Sequence, residues 1–332
     1  MRYLIVGLGS IGKRHLRNIY EIDAKAQVTI WHTRCKRNGK NTTDSYPERI
    51  VYSFEEAIEP KPDVALITTP SSEHIMISKR LAREGIDLFI EKPISSSMAG
   101  VDDLLQIQKI HKILIMVGYN LRFHPPLQIL RQCLIDGKIG KIISIRAEVG
   151  QYLPEWRPGT DYRTSVSGRS ELGGGAVLEL SHELDYVRWL AGEVTSVTAM
   201  MDHISDLEID VEDTAEIILR FRSGALGSIH LDMVQRPSIR SCKVVGSNGT
   251  AIWEGITDSV KLFPATTTGQ WSFLHPEQKV DRNQMYIAEL QHFFSCIKER
   301  KDPLVNGAEG KRVLQIALAA LQSSKEQRWI SP

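Results

Sequence analysis

Cysteine is scarce in this chain. Cys35, Cys133, Cys242 and Cys296 are the only four in 332 residues, and no two are close enough for a CxxC or zinc-knuckle spacing. That excludes a disulfide framework and fits a reducing compartment. Long apolar runs are missing too: no stretch approaches the ~20 residues a membrane span needs. The chain also lacks an excess of either charge. Its 41 basic and 40 acidic residues give a net charge of +1, which argues against a dedicated nucleic-acid or anionic-membrane partner. There is no internal repeat and no low-complexity tract, and no His/Asp/Glu set has metal-ligand spacing, so no metal is expected. What is present is a globular mixture, 42% hydrophobic and 24% charged. The length suits about two domains of ~150 residues, each with a core that needs no covalent staple. The opening run Met1 to Gly7 is too short for a signal segment, and the reading is cytoplasmic.

The first third alternates strand and helix signals. Leu4 to Val6 is a short apolar run, Ile11, Leu16 and Ile19 follow at helical spacing, and Val28 to Trp31 is a second strand. Ser53 to Glu56 has the form of a capping box. Val64 to Thr68, Ile86 to Ile90 and Ile113 to Val117 read as strands, with helices over Ser72 to Glu84 and Met98 to Ile110 between them. This alternation predicts βαβ units and a parallel sheet over residues 1–120. Beyond Gly118 the strands lengthen: Ile142 to Val149, Val194 to Met201, Thr214 to Phe221, Ala225 to Met233 and Ile239 to Val245. Tight turns such as Ser223-Gly224 and Ser247-Asn248-Gly249 separate them. Helices are expected over Pro126 to Asp136, Val177 to Leu190, Asn283 to Glu299 and Glu309 to Ser324. The fold class is therefore α/β: an N-terminal Rossmann domain, then a C-terminal α+β domain (residues 121–332) with an open, mainly antiparallel sheet. The last helix is a candidate to pack back on the first domain.

Gly7-Leu8-Gly9-Ser10-Ile11-Gly12 is G-x-G-x-x-G between a strand and a helix. Gly7 allows the tight turn, Gly9 lets backbone approach a pyrophosphate, and Gly12 lets helix and strand pack closely. The N–H groups of the first helical turn, at Ser10 and Ile11, then face the phosphates. An acid that would bind a ribose 2′-OH is expected after strand two. The sequence there is His32-Thr33-Arg34-Cys35-Lys36-Arg37, with no acid. Thr33 and Arg34 are candidate cofactor contacts, and Arg34 and Arg37 suit a 2′-phosphate and stacking on adenine, which favours NADP(H). NAD(H) stays open, because Arg34 can stack on either adenine.

Strand Ile86 to Ile90 runs into Glu91-Lys92-Pro93, and the preceding strand into Thr69-Pro70 with His74 beyond. In a doubly wound sheet ligands sit beyond the carboxyl ends of the strands. Thr69, Pro70, His74, Glu91 and Lys92 are therefore candidates for the cofactor crevice. Together with His15 and Gly118-Tyr119-Asn120-Leu121-Arg122-Phe123-His124-Pro125, these motifs resemble the glucose–fructose oxidoreductase, inositol dehydrogenase and MocA (Gfo/Idh/MocA) family. Val305 to Gly310 before the last helix resembles it as well. The resemblance implies NAD(P)-dependent hydride transfer on sugars or cyclitols and a catalytic or substrate-orienting Lys92. It also implies homodimers or homotetramers built through the C-terminal sheet.

After Gly173-Gly174-Gly175, positions Val177, Leu180, Leu184, Val187 and Ala191 form one apolar stripe. His182 and Asp185 are neighbours one turn apart on another face, and a flanking carboxylate orients an imidazole. The resemblance implies that His182 is the catalytic histidine, with Asp185 beside it. Many members carry an aspartate four residues before that histidine. Here Leu178 holds that place and Glu179 follows it, so Glu179 and Asp185 are both candidate partners.

Between the first long strand and this helix lie Tyr152, Trp156, Arg157, Tyr162, Arg163 and Arg169. Aromatic faces suit sugars and arginine forks suit carboxylate or phosphate, although Glu155, Asp161 and Glu171 can neutralise the arginines. Tyr152, Trp156, Arg157, Tyr162, Arg169 and Glu179, with Asn120 and Arg122, form the expected substrate-binding set. Leu153 to Gly159 resembles members near surface-sugar pathways. The expected function is hydride exchange with a secondary alcohol of a sugar, sugar acid or nucleotide sugar. The alternatives are redox-neutral, glycosidase-like use of NAD, or a non-catalytic dinucleotide sensor.

Overall fold

The computed structural model describes residues 1–33, 48–265 and 269–332. They divide into two compact units, one of residues 1–118 and 286–311 and one of residues 119–285 and 312–332.

The first unit contains β1 (Arg2–Val6), α1 (Ser10–Ile22), β2 (Gln27–Trp31), β3 (Glu48–Val51), α2 (Phe54–Ala57), β4 (Val64–Ile67), α3 (His74–Arg83), β5 (Asp87–Glu91), α4 (Val101–His111) and β6 (Ile115–Gly118). The strands pair in parallel in the order β3-β2-β1-β4-β5-β6. This is the doubly wound order whose direction reverses between β1 and β4, and ligands bind beyond that point. Helices cover both faces of such a sheet, so its strands are apolar throughout. Leu4, Ile5 and Val6 of β1 and all four residues of β4 are fully buried. Ser53 caps α2 in the reciprocal box that its sequence predicts. β3 carries no sequence signal strong enough to name it.

The second unit contains α5 (Pro125–Ile135), β7 (Ile142–Gly150), α6 (Ala176–Glu179), α7 (His182–Ala191), β8 (Val194–Asp202), β9 (Thr214–Phe221), β10 (Leu226–Asp232), β11 (Ile239–Gly246), β12 (Gly249–Glu254), β13 (Ser259–Pro264) and β14 (Ser272–His275). Its eight-stranded sheet runs β14-β13-β12-β11-β7-β10-β9-β8. Every neighbouring pair is antiparallel except β7 and β10, which are parallel. One face of the sheet is apolar: Ala215, Ile217, Leu219 and Phe221 of β9 alternate inward. The other carries Arg146, Glu216, Lys243 and Ile218 outward.

Two differences from the sequence reading stand out. The helix expected over Val177 to Leu190 is two helices, because the chain tightens at Leu180-Ser181, where the Glu183 N–H donates to the Leu180 carbonyl at 3.2 Å. His182 consequently opens α7 instead of lying inside a longer helix. The last two helices, α8 (Arg282–Glu299) and α9 (Gly307–Glu326), both cross the division between units. Residues 286–311 complete the first unit's core, with Leu290, Phe293 and Val305 fully buried.

Candidate active site

The glycine loop is built as its spacing demands. Gly7 has φ +89°, a left-handed conformation that favours glycine, and its N–H donates to the Trp31 carbonyl at 3.0 Å. A Cβ on Gly12 would collide with the Gly7 carbonyl and lie 2.8 Å from Thr68 Oγ1. Thr68 Oγ1 donates to the carbonyls of Gly7 (2.7 Å) and Val6 (3.0 Å), tying β4 to the loop. Gly9 caps α1 without a side-chain hydrogen bond, and a Cβ placed on it meets nothing within 4 Å. Thr69 Oγ1 is buried without a hydrogen-bond partner. Bare first-turn N–H groups, an unobstructed Gly9 and an unspent hydroxyl at the end of β4 together fit a dinucleotide pyrophosphate. Thr33 is exposed. Arg34, on which the NADP(H) reading rests, lies outside the described residues.

At the end of β5, the backbone around Lys92 is tied at its own N–H and at Pro93. The Glu91 carboxylate lies 2.6 Å from His15 Nε2 through Oε1, and its Oε2 accepts the Lys92 N–H at 3.2 Å. His74 is 1% exposed, with Nδ1 2.9 Å from the Pro93 carbonyl and Nε2 2.9 Å from the Thr69 carbonyl. Burial lowers the His74 pKa, against the pull of those two carbonyls. Each ring nitrogen lies against a carbonyl and the one that carries the proton donates to it, so His74 sits between the two strand-end loops instead of facing open space. Glu91 also acts inside the protein, with one oxygen on His15 and the other on backbone. Lys92 itself is half-buried.

In the second unit, the turn Asn120–Phe123 clasps the start of α7. Tyr119, fully buried, stands edge-on to the His182 ring, with centroids 5.6 Å apart at 86°. Its hydroxyl donates to Ser181 Oγ at 3.4 Å. Arg122 forms a two-pronged pair with Asp185, its NH2 lying 2.7 Å from Oδ1 and both side chains sealed from solvent. This corrects the assignment of Arg122 to the substrate: its fork faces Asp185, which acts as a brace for α7. Asn120 is likewise buried. Immediately after His182, Glu183 is fully buried against Arg240 of β11, with Nε 2.8 Å from Oε1. Ser181 and the Glu183–Arg240 pair have no signal in a single sequence beyond ordinary polar character.

The segment before α6 sorts its arginines. Arg163 pairs with Asp161 and Glu208, and Arg169 approaches Glu171 (3.6 Å) and Asp210 (3.7 Å). Arg169, expected at the substrate, is partly exposed and near these two carboxylates. Tyr162 accepts the Glu208 N–H at 3.4 Å, Tyr152 stacks under the Arg236 guanidinium, and Trp156 Nε1 donates to the Gln151 carbonyl at 2.9 Å. Arg157 and Glu179 do come together. Ser167 Oγ accepts from Arg157 at 3.4 Å and donates to Glu179 Oε2 at 2.9 Å.

A doubly wound sheet with a dinucleotide-type glycine loop, followed by a mixed sheet unit, defines a two-unit nucleotide-dependent oxidoreductase. Sequence profiles of the oxidoreductase family match the chain twice, the NAD-binding Rossmann fold over residues 1–119 and the C-terminal alpha/beta domain over residues 131–331. The chain belongs to this Gfo/Idh/MocA family of oxidoreductases. It is 29% identical over 341 residues to a myo-inositol 2-dehydrogenase of Thermotoga maritima, covering 99% of this chain and 97% of the relative. Among solved structures, a levoglucosan dehydrogenase in complex with NADH superposes with a TM-score of 0.89 at 20% identity, over 100% of this chain and 98% of the other. The WlbA dehydrogenase from Bordetella pertussis in complex with NADH and UDP-GlcNAcA gives 0.83 at 24% identity, with the same coverage of each chain. No helix among the described residues is long and apolar enough to cross a membrane.

Proposed function

We propose that this oxidoreductase exchanges a hydride between a nicotinamide nucleotide and a secondary alcohol of a sugar, sugar acid or nucleotide sugar. The observation that carries the reading is the fixing of Lys92 at the carboxyl end of β5, by Glu91 on one side and by His74 through Pro93 on the other. A bound nicotinamide supplies the hydride acceptor or donor. Lys92 Nζ donates to the reacting oxygen and stabilises charge that develops there. His182 takes up or returns the hydroxyl proton. Asp185 and Arg122 position α7, while Tyr152, Trp156, Arg157 and Glu179 are proposed for the sugar. The names of the relatives, for inositol, levoglucosan and a UDP-sugar acid, support a polyhydroxylated substrate.

For the nucleotide, the NADH complexes of related folds support NAD(H). The missing acid after β2 supports NADP(H). A fluorescence titration with NADH and NADPH separates the two. Oligomers through the outward face of the eight-stranded sheet are part of the same proposal and are read by sedimentation.

The test of the chemistry is turnover on myo-inositol, levoglucosan and a UDP-hexuronic acid. Activity lost in both Lys92→Ala and His182→Ala supports the roles, and near-normal turnover in both overturns them. Retention of nucleotide through purification, with turnover that leaves no net NADH, would select redox-neutral chemistry instead.

A further inference from the structure

Helix α1 contributes more than its first turn. His15 lies three residues beyond Gly12, one turn into the helix, and is fully buried. Its ring meets Phe89 edge-on at 5.1 Å and Tyr286 at 6.3 Å. Nε2 stands 2.6 Å from Glu91 Oε1. Nδ1 is buried with no hydrogen-bond partner, so the tautomer that carries its proton on Nε2 and donates it to the carboxylate satisfies this geometry. The carboxylate has little freedom to leave. A Cβ on Gly118 of the neighbouring strand would lie 3.3 Å from it, and its other oxygen holds the Lys92 N–H.

A buried carboxylate that loses its donor costs free energy and turns to find another. Here the group that moves with it is the backbone of Lys92. We propose that His15 is a positioning residue for Lys92, acting through Glu91. The inference rests on the role given to Lys92 above. Its consequence is that the helix whose first turn faces the pyrophosphate is joined to the reacting lysine by one side-chain bond.

Three variants test this in the full-length protein. His15→Leu removes the donor. His15→Gln keeps an amide N–H at similar reach. Glu91→Gln keeps the shape of the carboxylate without its charge. The lysines are reductively 13C-dimethylated, the Lys92 resonance is assigned by its loss in Lys92→Arg, and NADH affinity and melting temperature are measured alongside. The expected result is a displaced Lys92 resonance in His15→Leu and its return in His15→Gln, with NADH affinity held within about twofold. On a substrate found above, kcat of His15→Leu falls about tenfold to a hundredfold while KM changes little, the size expected of a small misplacement of a reacting group.

An unmoved Lys92 resonance in His15→Leu overturns the proposal, as does equal behaviour of the Leu and Gln variants. If His15→Leu does not fold, Glu91→Gln takes its place, and an unmoved resonance there overturns the proposal equally. The resonance reports on His15 whether or not Lys92→Ala abolishes turnover. Failure of the Lys92 role and failure of this inference are therefore read separately.

Discussion

Arg122 and Asp185, 63 residues apart in sequence, form a buried ion pair with three hydrogen bonds: Nε to Oδ1 at 3.2 Å and to Oδ2 at 2.9 Å, and NH2 to Oδ1 at 2.7 Å. Removing one member leaves the other charge buried without its counter-charge. Arg122→Leu is expected to destabilise the protein by about 3–5 kcal/mol. Asp185→Asn, which keeps an acceptor oxygen, should cost less. Urea denaturation of each variant measures the difference.

Tyr119 offers a second test of how His182 is held. Its hydroxyl contact with Ser181 is long, so Tyr119→Phe should lose no more than about 1 kcal/mol of stability and keep kcat. Tyr119→Ala removes the ring edge facing His182 as well as buried volume. It should lower the melting temperature and kcat together, while NADH affinity, which depends on the first unit's glycine loop, is unchanged. Steady-state kinetics with a parallel NADH titration separates the two effects.

The second and third glycines of the loop should fail in different ways. Gly9→Ala adds a Cβ that meets no protein atom within 4 Å, on a backbone with φ −70° that alanine adopts freely. Its melting temperature should hold while nucleotide affinity falls by at least about tenfold, a loss of ~1.4 kcal/mol. Gly12→Ala drives a Cβ into the Gly7 carbonyl, so it should destabilise the fold itself, by about 1–3 kcal/mol. Equal melting temperatures for the two variants would contradict this division.

His230 predicts a pH dependence. Its hydrogen bond to Asp232 at 3.0 Å, opposed by partial burial and reinforced by Glu216 at 2.7 Å, raises its pKa from 6.5 to about 9. A histidine whose folded pKa is raised binds its proton more tightly in the folded state. The stability it contributes is therefore present in full below its unfolded pKa of ~6.5 and lost as pH rises through about 9. Histidine NMR should place its midpoint near 9, and His230→Gln should remove this part of the alkaline loss of stability.

Much of the architecture was readable because each signal was local. The glycine loop, the strand ends at Thr69-Pro70 and Glu91-Lys92-Pro93, and the capping box at Ser53 are written in adjacent residues. What the sequence hid depended on distance. β12, β13 and β14 are short strands in a segment whose turn at Ser247-Asn248 was visible, though the strands after it were not. The sequence offers His74 to a ligand because nothing in it shows that the ring lies between the Thr69 and Pro93 carbonyls. The sequence pairs Asp185 with the nearby His182, while Arg122, which binds its carboxylate, lies 63 residues upstream. The arginine-rich segment was legible in kind. Its internal pairing through Glu208 and Asp210 required partners from outside it.

The first unit borrows residues 286–311 from the far end of the chain. Phe294 packs on Tyr3 at 5.2 Å, Phe293 on Phe89 at 6.1 Å, and the Val117 N–H donates to the Val305 carbonyl at 2.8 Å. On the ribosome the glycine loop therefore emerges early, yet the domain around it stays unfinished until residues 119–285 have also been made. A nascent chain that stops short of residue 286 carries every nucleotide-binding motif and still exposes the apolar surface of Tyr3 and Phe89. A product ended there is therefore expected to show the exposed apolar surface that chaperones and proteases recognise.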